Sequence, residues 1–73
     1  MFNGAKLRKL RKEAGMSLEQ LAQKVGCDHS FIGYIEIGHK QPGIALMARI
    51  ADYFGIKMDD FRNDLELEEE DSL

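Results

Sequence analysis

Seventy-three residues suffice for one small domain, and a chain of this length buries only about 60% of its unfolded surface, so the core must be lean. A single cysteine excludes an internal disulfide, the apolar runs fall far short of a membrane span, and the charge-interrupted residues 1–15 are unlike a signal peptide; the expected compartment is the cytoplasm. The net charge of −3 conceals an asymmetry: residues 1–57 hold nine Lys/Arg against five Asp/Glu (+4), and residues 58–73 hold one Arg against eight acids (−7).

A first helix is predicted over 2–14. Leu7, Leu10 and Ala14 share one face, Lys6, Arg8, Lys9 and Lys12 lie mostly on the others, and Gly15 supplies a left-handed C-cap. Such a basic face is either solvated surface or a neighbour of phosphate groups. Ser17 and Gln20 form an S-x-x-Q capping box that opens a second helix over 18–25. Asp28 caps a third helix over about 29–37, and Gly38 terminates it. Leu21, Ala22 and Val25 fall on the inner face of the second helix, and Ile32 and Ile35 on that of the third. Cys27 reads as a small apolar plug between them. Ala22 lets the two helices cross closely, and Gly26 can take the positive φ of a sharp turn. Gly33 sits inside the third helix at a cost of about 1 kcal/mol relative to alanine. It is either a tolerated defect or a place of close approach for a partner.

Pro42 biases Gln41 away from helical angles, so 39–43 is a loop. A fourth helix over 44–54 stops at Gly55, with Ile44, Met47, Ile50, Ala51 and Phe54 as its inner stripe. Leu46 and Tyr53, seven apart, form a second stripe left over for another surface. A fifth short helix begins near Met58 or Asp59, with Met58, Phe61 and Leu65 at i, i+3 and i+7. The domain is therefore expected over 1–63. Residues 64–73 form an acidic tail too charged to bury, which either moderates the basic body or only solubilises it.

The expected fold class is all-α: a compact five-helix arrangement with a helix-turn-helix as helices two and three. The runs LRKEAGMSLEQLAQKVG, IGYIEIG and PGIALMARIADYFGI carry its inward positions and turn glycines over roughly 6–61. Together they resemble the Cro and phage-repressor type, or XRE-type, DNA-binding domain. The resemblance implies a lambda-repressor-like domain that binds double-stranded DNA with its third helix in the major groove. It implies that Arg11 and Glu36 form a largely buried ion pair joining the first helix to the third. It implies base contacts at His29, Ser30, Phe31, Gly33 and Tyr34. Phosphate contacts are implied at Ser17 and Leu18 and in the loop at His39, Lys40 and Gln41. Leu18 departs from the pattern, since many members carry a glutamine there that touches phosphate and steadies the recognition helix.

Between Asp28 and Ile37 there is no Arg, Lys, Asn or Gln, the usual bidentate readers of guanine and adenine. What remains, with His29 and Ser30, is the apolar or aromatic set Phe31, Tyr34 and Ile37, which can contact thymine methyls and donate a few hydrogen bonds. The leading expectation is a DNA-binding, repressor-like transcriptional regulator. The alternative is a helix-turn-helix module whose apolar third helix binds a protein, as an antirepressor or complex subunit. A weak homodimer through Leu46, Tyr53 and Leu65 is expected to present two recognition helices. No cofactor, metal or enzymatic activity is expected. His29 and His39 are ten apart without further ligand spacing, and Asp28, His29 and Ser30 are consecutive residues that point in different directions.

Overall fold

Asn3 decides where the first helix starts. In the computed structural model, which describes residues 1–62, the Asn3 side-chain oxygen accepts from the Lys6 amide at 3.1 Å, and α1 spans Gly4–Glu13. The expected helix over 2–14 is therefore shorter at both ends. Phe2 lies outside it in extended backbone, and Ala14 is an exposed cap residue rather than part of the inner face. Gly15 follows at φ +70°, as a left-handed cap requires. Two further helices hold the expected unit. α2 is Leu18–Val25, opened by both halves of the Ser17–Gln20 capping box, and α3 is His29–Glu36, opened by Asp28. Gly26, at φ +77°, makes the turn between them. The Asp28 carboxylate accepts from the Ser30 amide at 2.9 Å, so it acts as a helix cap. α4 is Ile44–Phe54, and a single 3-10 turn, Met58–Phe61, follows it.

Leu7, Leu21, Ile32, Ile35, Ile50 and Phe61, together with Val25, are the largest fully buried side chains, so every element feeds one core. Two expectations for the C-terminal half need correction. Leu46, read as free surface for a partner, is buried, whereas Ile44, read as core, is 76% exposed. α4 packs against α2 and also against the 3-10 turn. That turns its buried arc toward Leu46, Ile50 and Ala51 and leaves the first residue overhanging. The fifth helix is the second correction. It ends at Phe61 after one 3-10 turn, because Arg62 is extended and pairs with Phe2 in an isolated antiparallel bridge. Met58 accordingly lies at the surface. Leu65 and the acidic tail lie outside the described residues.

That bridge joins the two ends of the domain. The Asn3 amide donates to the Phe61 carbonyl, and the Phe2 and Phe61 rings stack with centroids 4.8 Å apart. The Phe2 amide also donates to the Gln41 side-chain oxygen at 2.9 Å, which ties this clasp to the loop before α4. Across the fold, the Arg49 guanidinium donates to the Val25 carbonyl at 2.8 Å and so satisfies the C-terminal end of α2. Among the described residues no buried side-chain nitrogen or oxygen lacks a partner, and no helix is long and apolar enough to cross a membrane.

Gly4 is where α1 meets α3 most closely. A Cβ there would overlap the Ile35 carbonyl oxygen and come within 2.7 Å of that of Glu36. Gly33 is the opposite case, since its Cβ would meet only Leu18 Cδ1, at an ordinary 3.7 Å. The two glycines therefore predict opposite outcomes in thermal melting. Gly4→Ala forces backbone apart and should destabilise by about 1–3 kcal/mol. Gly33→Ala should leave stability unchanged or raise it by up to about 1 kcal/mol.

Candidate nucleic-acid interface

α3 is held from below by Ile32 and Ile35, both fully buried. The opposite arc faces solvent. His29, Ser30 and Tyr34 are exposed and Gly33 is half-buried among them. Ser30, Gly33, Tyr34 and Ile37 stand at i, i+3, i+4 and i+7, one face of a helix carried through to its last turn. Ile37 is 60% exposed and belongs to this face; the sequence named it among the apolar residues able to contact thymine methyls, though not among the base contacts the resemblance implies. The i, i+7 spacing from Ser30 is the signal that finds it. Phe31, beside Ser30, is half-buried and packs partly against the core.

Glu36 lies on the inner side of the same helix, where a carboxylate needs a partner. Arg11 Nε and Nη2 donate to its two oxygens at 2.7 and 3.0 Å, and Arg11 Nη1 donates to the Met16 carbonyl at 2.8 Å. Both residues are at most 9% exposed. The hydrogen bonds Arg11 donates to Glu36 hold the Arg11 pKa above its ordinary value, and they outweigh the opposing effect of burial. The acid on α3 is thus turned inward and neutralised, away from the exposed arc.

Two backbone features flank the outer arc. At the start of α2, Ser17 Oγ accepts from the Gln20 amide at 3.1 Å and Gln20 returns the contact to the Ser17 amide at 2.9 Å. The box leaves the Leu18 and Glu19 amides directed out of the helix end, as first-turn amides are, and a helix start of this kind attracts anions. The Leu18 side chain packs on the core and reaches toward Gly33. It braces α3 by apolar contact and leaves only its backbone for phosphate. On the far side, Gly38 at φ +84° turns the chain back, and the His39 and Lys40 amides both donate to the Tyr34 carbonyl at 2.9 and 3.3 Å. The His39 and Tyr34 rings lie parallel with centroids 6.3 Å apart. Lys40 is exposed, while the Gln41 side-chain oxygen is engaged by the Phe2 amide. Next to α3, burial pushes the Cys27 thiol above its usual value, with Asp28 adding to the effect and Arg49 opposing it. That keeps Cys27 protonated, as suits a packing residue.

Two short helices joined by a glycine turn, with the second presenting an open face, define the arrangement. A helix-turn-helix family profile, HTH_3, matches residues 7–61. The chain belongs to that helix-turn-helix family, the Cro and phage-repressor type. It is 34% identical over 55 residues to an uncharacterized HTH-type transcriptional regulator of Archaeoglobus fulgidus, covering 75% of this chain and 79% of the relative. The fold is similar to the restriction-modification controller protein C.AhdI from Aeromonas hydrophila, with a TM-score of 0.74 and 30% identity over 81% of this chain and 89% of that one. It is also similar to the N-terminal DNA-binding domain of SinR from Bacillus subtilis, with a TM-score of 0.73 and 27% identity over 80% of this chain and 86% of that one. SinR has been solved in complex with DNA and, separately, in complex with the SinI protein.

The ion pair carries a stability prediction. Arg11→Met strands a buried carboxylate and should cost about 3–5 kcal/mol in denaturant unfolding. Adding Glu36→Leu removes the stranded charge, and the double variant should recover most of that loss. A double variant as unstable as the sum of both single changes would show that the two groups do not act as a pair.

Proposed function

We propose that this DNA-binding transcriptional regulator inserts α3 into the major groove, with His29, Ser30, Gly33 and Tyr34, extended by Ile37, against base edges. The Leu18 and Glu19 amides at the start of α2, and the His39–Lys40 loop, hold the flanking phosphates. The observation that carries the reading is the open arc of α3 bracketed on both sides by backbone and cationic phosphate anchors, on a body of charge +4. SinR, of similar fold and solved with DNA, supports it. Repression is the mode we assign, by occupancy of an operator. The regulator works in the cytoplasm, where an unpaired Cys27 is stable.

The reading includes a weak homodimer. Of the residues expected to form it, Leu46 belongs to the core and Leu65 lies outside the described residues. Tyr53, 42% exposed on α4, is the one that offers surface. A two-fold pair would set the recognition helices about 34 Å apart, one turn of DNA. The competing reading, a protein docked on α3, is favoured by the exposed Tyr34 and Ile37 and by the lack of a basic residue on that helix.

Salt separates the two. Phosphate contacts make affinity fall steeply between about 50 and 200 mM salt, which an apolar protein interface does not. Lys40→Ala should weaken all duplexes alike and flatten the salt slope by about one unit. Tyr34→Ala should alter preference at one base position by about 1–3 kcal/mol. Titrations of fluorescent duplexes read both effects. Duplex affinity that ignores salt would sink the DNA reading, and a change of preference in Lys40→Ala but not Tyr34→Ala would reverse the assignment.

A further inference from the structure

The outer arc of α3 has a gap at its centre. Gly33 stands three residues after Ser30 and four before Ile37, where the middle side chain of the reading face would project. Beyond its chain neighbours and its own helix backbone, a Cβ there would have only Leu18 Cδ1 within 4 Å, at 3.7 Å. The floor of the gap is Gly33 backbone, and one wall is the Leu18 methyl. The rim is Ile37, 60% exposed, together with Ser30 and the 45% exposed Tyr34. The side chains adjoining it in helix register are apolar at Ile37 and hydroxyl-bearing at Ser30 and Tyr34, and the Gly33 carbonyl is taken up by the Ile37 amide at 3.3 Å.

Such a notch selects by what it lacks. A guanine O6, an adenine amino group or a cytosine amino group pressed into it would lose water without gaining a partner at the floor. Thymine is the one base that presents an apolar group in the major groove, its C5 methyl. Resting on the DNA reading above, we propose that the Gly33 notch is a thymine-methyl site. Gly33 removes the side chain that would block approach, and Leu18 and Ile37 supply carbon on either side of the methyl. Leu18 then has a second task. Its side chain, useless for hydrogen bonding to phosphate, becomes part of the base-reading surface contributed from α2. The operator should accordingly carry thymine opposite the centre of α3, with the hydroxyls of Ser30 and Tyr34 serving the neighbouring positions.

The test uses the full chain and a duplex selected from random DNA. Each thymine is replaced in turn by deoxyuridine, which keeps its pairing edge and its O4 acceptor and loses only the methyl. At least one replacement should weaken binding about three- to five-fold, the worth of burying one methyl group. Gly33→Ala fills the notch and should bind the thymine and deoxyuridine duplexes equally, with its melting curve checked in parallel. A selected duplex that lacks thymine, or that tolerates every replacement, overturns the notch and leaves the DNA reading standing. Discrimination as strong in Gly33→Ala as in the native protein has the same consequence. Failure to select any duplex overturns the DNA reading and the notch together.

Discussion

Arg11 and Glu36 meet where the first helix touches the last turn of α3, and the direction in which α3 faces depends on that contact. The first helix holds Glu36 twice. Its start presses Gly4 against the Glu36 carbonyl, and two turns later Arg11 engages the Glu36 carboxylate through two hydrogen bonds. The remaining Arg11 donor is spent on the Met16 carbonyl, in the connection that leads into α2. One guanidinium therefore references three segments to one another. A hydrophobic pair of the same volume would bury as well, but without directional bonds. A forked guanidinium–carboxylate contact fixes the two groups' relative orientation. The contribution of the pair is to geometry, and that geometry sets which residues of α3 face outward.

Much of this was legible in the sequence because the signals were local. Ser17 with Gln20, Asp28, and the glycines at 15, 26, 38 and 55 mark helix ends through chemistry that acts within a few residues. The inner residues of α2 and α3 followed from helical periodicity. What escaped depends on contacts between distant segments. Phe2 looked helical, and only its pairing with Arg62 draws it into extended backbone. Leu46 and Ile44 exchanged burial because α4 packs against two elements at once, which widens and turns an arc that periodicity alone would centre elsewhere. Gly4 gave no signal, since its need for a bare Cα arises from a carbonyl more than thirty residues away. Asn3 was a local cap that went unread because the apolar Phe2 before it suggested an earlier start.

The candidate interface divides along the same line. The resemblance pointed to the arc of α3 that is exposed in the fold, because helix register carries its direction. It did not reveal how Leu18 would behave. Leucine at the start of α2 was read as a loss of hydrogen bonding. In the folded chain it packs against the core and leans toward Gly33, which makes it an apolar brace for α3. Electrostatics at this surface are correspondingly spare. The acid of α3 is folded inward, and the basic residue nearest the arc on its C-terminal side is Lys40.

The clasp between the chain ends has a consequence for the order of folding. Phe2 and Arg62 are separated by nearly the whole described chain, and closing a loop of that length from the unfolded state costs about 3–4 kcal/mol of chain entropy. Contacts so distant form after the local helices have packed and shortened the path between them. Because Phe2 also donates to Gln41, the loop beside Lys40 gains this second tie only in that last step. A chain with four helices formed and its ends still open keeps the His39 and Lys40 bonds to the Tyr34 carbonyl and lacks the tie at Gln41. The same dependence runs in reverse. Fraying at the two ends, the least costly opening a small domain undergoes, releases the Gln41 side chain first and leaves the ion pair between α1 and α3 intact.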